Sequence, residues 1–145
     1  MLRALVIRPA TPNDADAISG LLAELGYPAN PADVPARLEA LAAHPGAVTL
    51  VADLEHEVVG LATCHLFPTI HRAEPVAWLT ALVTAERARG QGVGTTLVSS
   101  VESWARARGA VRISLTSGTQ RTEAHAFYER LGYDRTGVRL THPLE

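Results

Sequence analysis

Cysteine is almost absent. Cys64 stands alone in 145 residues, which excludes a disulfide framework and a cysteine-built zinc site. Its place inside an apolar run marks it as a small buried hydrophobe. An excess of positive charge is also missing. The 13 Lys and Arg against 15 Asp and Glu give a formal net charge of −2, so no global field recommends nucleic acid or an anionic membrane as partner. No apolar run approaches the roughly 20 residues that span a bilayer. The start, MLRALVIRPA, is apolar over too few residues and lacks a small-residue cleavage pattern, so no signal peptide is expected. Internal repeats, linkers and low-complexity stretches are lacking too. What remains is ordinary: 47% hydrophobic and 19% charged residues, at a length that buries a sizeable core. The expectation is one cytoplasmic domain covering residues 1–145.

Hydrophobic period and turn residues divide the chain. ALVIRPA reads as a first strand. A helix follows with Thr11 as N-cap, Pro12 at its first position and Asp14 three residues after the cap. Its stripe is Ala15, Ile18, Leu21, Leu22 and Leu25, and Gly26 stops it. After the turn-rich GYPANP, a second helix carries Val34, Leu38 and Leu41 on one face and ends before HPG. AVTLVADL and EVVGLATCHLF read as a hairpin around Glu55 and His56. The loop PTIHRAEP leads to VAWLTALVT, whose near-continuous apolar character suits burial on both faces. A helix then places Val93, Leu97, Val101, Trp104 and Ala105 inward, with Gly109 as stop. VRISLTS is a strand, TEAHAFYERL a helix with Ala124, Phe127, Tyr128 and Leu131 on one face, and YDRTGVRLTH a last strand. The predicted order is β-α-α-β-β-β-α-β-α-β, a mixed α/β domain.

One stretch asks for a function. RARGQGVGTTLV, residues 87–98, places Gly90, Gly92 and Gly94 at alternate positions between a strand and a helix. Glycine costs roughly 0.5–1 kcal/mol inside regular elements, so three of them need a reason. Backbone N–H groups at a helix start form an anion site, and glycines let the anion approach the main chain. Arg87 and Arg89 add positive charge, so phosphate or pyrophosphate is the natural guest. The Walker loop needs a lysine where Thr95 follows Gly94, so it fails. The dinucleotide fingerprint needs G-x-G-x-x-G and an acidic residue ending the next strand, where this chain has G-x-G-x-G and VRISLTS, so it stays only a minor alternative.

Arg89-Gly90-Gln91-Gly92-Val93-Gly94 resembles the R/Q-x-x-G-x-G/A signature of the GCN5-related N-acetyltransferase (GNAT) family. ALVTAERARG resembles that family's strand-then-loop entry, TEAHAFYERLGY its fourth helix, and IRPATPNDADAISGLLAEL its first strand and helix. The likeness spans essentially the whole chain in order. It implies an acyl-CoA N-acyltransferase fold, an α+β mixed sheet that splays between strands 76–84 and 111–117 and is flanked by about four helices. It also implies acetyl-coenzyme A as cosubstrate, without a metal. The pyrophosphate would sit on Arg89, Gly90, Gln91, Gly92, Val93, Gly94 and Thr95. The pantetheine arm would pair with the backbone of Leu82, Val83 and Thr84 like an added strand.

Direct attack by an amine on the thioester poses two proton problems: the ammonium must lose a proton and the thiolate must gain one. Tyr128 matches the family's tyrosine, and a phenol with pKa near 10 is protonated at neutral pH, which suits the second task; its spacing with Ala124 and Leu131 also fits a core residue. The first task has no clear owner. Many members carry a glutamate in the strand before the loop, whereas VAWLTALVT holds no carboxylate. His65, His71, Glu74, His125 and a water chain stay open. Many relatives also carry asparagine where this chain has Arg121, and RTEAHAFYERLGY is similar to members that acetylate small amines, such as the aminoalkylphosphonate and aminoglycoside branches. The implied partner is a small-molecule primary amine, with a homodimer left open. The alternatives are a sensor that binds acetyl-coenzyme A without turnover and a protein acetyltransferase acting on N-terminal or lysine amines.

Overall fold

The computed structural model describes residues 4–118 and 121–144. The chain forms two compact units, Met1–Ser114 and Leu115–Glu145. In the first, β1 (Leu5–Pro9) leads through a 3-10 turn (Pro12–Asp14) into α1 (Ala15–Leu25). A second 3-10 turn (Pro31–Asp33) opens α2 (Val34–Ala43). β2 (Ala47–Leu54), β3 (Glu57–Phe67) and β4 (Val76–Thr84) follow as an antiparallel meander, then α3 (Val93–Ala107). The sheet order is β1-β2-β3-β4-β5, with β5 at Ile113–Leu115. The passage from β4 to β5 through α3 is the kind of crossover that a parallel neighbour requires.

Local chemistry accounts for the joints. Pro12 and Pro31 lack an N–H that a helix start would leave unpaired, so each opens a 3-10 turn feeding a helix. Gly26 ends α1 at φ 104°, the left-handed stop read from the sequence. Glu55 and His56 take φ 52° and 71°, the paired positive angles of a tight hairpin turn. The core between sheet and helices holds Ile18, Leu21, Val34, Val51, Leu61, Cys64, Leu79, Leu97, Val98 and Val101. Trp104, expected inward on α3, is half-buried with the Arg108 guanidinium 4.7 Å from its ring centre, while Val98 takes a core place instead.

The second unit contains α4 (Thr122–Arg130). Ala124, Phe127, Tyr128 and Leu131 share its half-buried face. Two expectations are corrected. The strand predicted over 111–117 is ordered as a strand only at Ile113–Leu115. The last strand expected in YDRTGVRLTH is absent: residues 133–142 form no strand, and Val138 and Leu140 are 88% and 90% exposed. Alternating apolar residues make a strand only where a neighbour's ladder accepts them, and this segment has no such ladder among the described residues.

Candidate active site

The glycine turn is built from β3 upward. In β3, Gly60 lies under the start of α3, where an added Cβ would stand 2.8 Å from Leu97 Cδ1 and 3.0 Å from Val93 Cγ1. The missing side chain lets α3 press onto the sheet, and Val93, fully buried, anchors its first turn. After β4, Ala85 N–H donates to the Val59 carbonyl at 2.8 Å and Glu86 N–H to Glu24 Oε1 at 2.8 Å. A 3-10 turn over Glu86–Ala88 then delivers Arg89 in extended backbone. The turn is clamped on both sides.

Gly90 at φ 80° and Gly92 at φ 78° are left-handed, and a Cβ at either would meet nothing within 4 Å. Their glycine character answers to backbone conformation and to open space outside, rather than to crowding from within. Gly92 caps α3, whose first internal bond runs from Thr96 N–H to the Gly92 carbonyl at 3.0 Å. The N–H groups of Val93, Gly94 and Thr95 therefore point out of a 15-residue helix without partners inside it. That end carries about half a positive charge. Arg89 is exposed beside it and makes no ion pair with the described residues. Arg87 is engaged elsewhere, 2.7 Å from Glu57. An anionic, extended group fits this surface.

β4 gives one edge to β3: Leu82, Val83 and Thr84 lie opposite Ala62, Leu61 and Gly60. A three-residue β5 can pair with only part of its nine residues. The strand also carries a bulge at Thr80, because Thr63 faces Ala81 while Cys64 faces Leu79. Thr80 Oγ1 bonds the Thr63 carbonyl at 3.0 Å and contacts His65 Nδ1 at 3.3 Å.

Within the second unit, Tyr128 packs against Phe127 and Tyr133, with ring centres 5.2 and 5.7 Å away. Burial pushes its hydroxyl above the ordinary phenol value, and the Arg121 charge opposes that in part. The proton is held firmly at neutral pH. His125 Nδ1 accepts from Arg135 at 3.3 Å, and Arg135 also reaches Glu129. His71 and Glu74 sit exposed in the loop before β4. Among the described residues no group of His, Cys, Asp and Glu could hold a metal, and no helix is long and apolar enough to cross a membrane.

Three features escaped the sequence reading. Gly60, in a strand interior, carried the one usable signal, since such a glycine marks close approach. The Thr80 bulge and its bond to His65 had none. Nor did the Arg8 fork on Asp14, at 2.8 and 2.9 Å, which joins β1 to the entry of α1.

Relatives agree with this architecture. The chain is 33% identical over 141 residues to the aminoalkylphosphonate N-acetyltransferase of Salmonella typhimurium, covering 95% of this chain and 90% of that protein. A Bacillus halodurans C-125 structure described as a transcriptional regulator superposes with a TM-score of 0.88 at 26% identity, over 97% of this chain and all of that one. An aminoglycoside N-acetyltransferase solved with coenzyme A has the same fold, with a TM-score of 0.86 at 16% identity, over 99% and 97% of the two chains. The profile of the acetyltransferase (GNAT) family matches residues 16–133, and the chain belongs to that family of acyltransferases.

Proposed function

We propose that this chain moves an acetyl group from acetyl-coenzyme A to a primary amine of a small molecule. The supporting observation is the Arg89–Thr95 turn, in which two left-handed glycines direct an exposed arginine and the N–H groups of Val93, Gly94 and Thr95, which have no acceptor within α3, toward open space. The pyrophosphate would rest there, on Arg89, Gly90, Gln91, Gly92, Val93, Gly94 and Thr95. Leu82, Val83 and Thr84 would pair with the amide groups of the pantetheine arm as a strand does.

Tyr128 is the proposed general acid. Its half-buried phenol gives its proton to the departing sulfur and regains one from the newly acylated nitrogen, so the pair of transfers leaves the residue unchanged. The small-amine acceptor draws support from the Salmonella relative, an aminoalkylphosphonate N-acetyltransferase. Neither GYPANP nor PTIHRAEP carries a dense acidic patch that would recruit a basic peptide.

A thiol-release assay tests the reading across aminoalkylphosphonates, aminoglycosides and peptides with free N-terminal or lysine amines. Turnover of small amines above that of peptides is expected. Preference for peptides overturns the acceptor class, and binding of acetyl-coenzyme A without turnover of any amine overturns the enzymatic role.

A further inference from the structure

The proton of the acceptor's ammonium has no carboxylate waiting for it in β4, yet the bulge of that strand holds a histidine in one defined state. Thr80, the extra residue of the bulge, donates its hydroxyl hydrogen to the Thr63 carbonyl at 3.0 Å. A threonine hydroxyl has one hydrogen. Its 3.3 Å contact with His65 Nδ1 must therefore run the other way, with Nδ1–H donating to Oγ1. In the neutral ring this fixes the tautomer and leaves the lone pair on Nε2. Nε2 has no hydrogen bond to the described residues, and the side chain is half-exposed.

The surroundings favour the neutral ring. Burial, with His44 adding to it, holds the His65 imidazole below its ordinary value. His44, at the end of α2, faces it edge-on with ring centres 5.8 Å apart and accepts the Gly46 N–H at Nδ1. The ladder neighbours Ala47 of β2 and Trp78 of β4 carry no charge. Cys64, next in β3, is a buried thiol pushed up to about 11 and stays neutral. Position favours it as well. Thr80 precedes Leu82 by two residues, roughly 7 Å along the strand, and bulges re-aim side chains beside active sites.

We propose that His65 is the general base of this chain: its Nε2 takes the proton from the acceptor's ammonium, while Thr80 and Thr63 hold the ring in the tautomer able to accept it. The inference rests on the acetyl-transfer reading above. The balance closes. His65 gains one proton as the ammonium becomes the free amine, whose electron pair forms the C–N bond as the C–S bond breaks. The sulfur is protonated by Tyr128, which recovers the second nitrogen proton, and His65 returns its own to solvent.

The test combines kinetics with 15N spectra of the histidine rings. His65→Asn keeps a donor for Thr80 and removes the base. Its turnover is expected to fall on the order of 10²-fold with an unchanged KM for acetyl-coenzyme A. The loss should shrink as pH rises and more acceptor arrives as free amine, and the parent's acid limb should lie below about 6.5. The spectra should show Nδ1–H in the parent and in Thr80→Ser, but not in Thr80→Val. Parental turnover of His65→Asn across the pH range, or an Nε2–H tautomer in the parent, overturns the base while leaving acetyl transfer intact. A parent that turns over no amine, whatever its tautomer, overturns the transfer reading and this role with it.

Discussion

Arg87 is held by Glu57: its Nη2 lies 2.7 Å from Glu57 Oε1, and its Nε donates to the same oxygen at 3.0 Å. Both side chains are more than half exposed, at 56% and 60%. The pair turns Arg87 toward the β2–β3 hairpin, while Arg89, exposed at the start of α3, makes no ion pair with the described residues. Arg87→Ala is therefore expected to shift stability by less than about 1 kcal/mol and to leave the KM for acetyl-coenzyme A at its parental value. Arg89→Ala should raise that KM, and more so at low salt, where screening is weak. Steady-state kinetics at two ionic strengths separate the two residues; equal effects would mean diffuse steering by both.

Gly92 and Gly60 are required for different reasons, and substitution should tell them apart. At Gly92 space is open and φ is 78°, so valine there strains the backbone by roughly 1–2 kcal/mol and covers the N–H groups of α3. Affinity for coenzyme A should drop by about 2–3 kcal/mol, roughly 100-fold in Kd. Coenzyme A without its acetyl group should bind the parent too, since the phosphates anchor it. At Gly60 a methyl meets Leu97, Val93 and Ala52 within 3.1 Å, so Gly60→Ala should cost roughly 1–3 kcal/mol by overpacking. Thermal unfolding and calorimetry on both variants check this. A Gly92→Val protein that is folded and binds like the parent removes the loop from the site.

The sequence was most legible where one local rule governed. β2, β3 and β4 begin and end where their apolar β-branched runs do, because turn residues bracket each of them. The glycine turn was legible because left-handed backbone and a helix start both leave marks in the sequence. The last strand is the exception: Val138 and Leu140 alternate as a strand's residues do, but pairing is a property of two segments and only one is written there. The same holds for Arg8 with Asp14, 6 residues apart and joined across two elements, and for His65 with Thr80, 15 apart. Their meeting depends on register, and the register contains bulges that composition does not announce.

Asp14 makes stability sensitive to acid. The Arg8 fork, and then the Thr11 N–H, hold its carboxyl below the ordinary range against the cost of burial. The folded value is lowered, so the stabilisation is complete above the unfolded carboxyl value, about 3.9, and is lost as pH falls through the folded one. Arg8 is raised and stays charged throughout. Asp14→Asn should lose roughly 1.5–3 kcal/mol at pH 7, as for hydrogen bonds to charged groups. The deficit relative to the parent should narrow below pH 4 in urea titrations. A deficit that is constant with pH would assign the loss to packing.

Cys64 should be silent chemically. It is fully buried, and burial pushes its thiol up to about 11, while the thiolate is the reactive form. Iodoacetamide at pH 8 is expected to leave the native protein unlabelled and to label it fully in denaturant, as mass spectrometry would register. Labelling of the native protein on the timescale of a free thiol would place Cys64 at an opening of the sheet.

Tyr128 separates a general acid from a packed aromatic. Its ring lies against Phe127 and Tyr133, and Tyr128→Phe keeps that packing while removing only the hydroxyl. Stability should change little, and coenzyme A affinity should be that of the parent. If the phenol protonates the leaving sulfur, turnover should fall on the order of 10²-fold, the lower end for a lost general acid, because water substitutes in part. The signature is a lower kcat with binding unchanged. Burial raises the hydroxyl's pKa, so any basic limb due to its ionisation should lie above 10, the ordinary phenol value, and vanish in the variant. Tyr128→Phe turning over at the parental rate, under conditions where chemistry limits, would return Tyr128 to the core of its helix face.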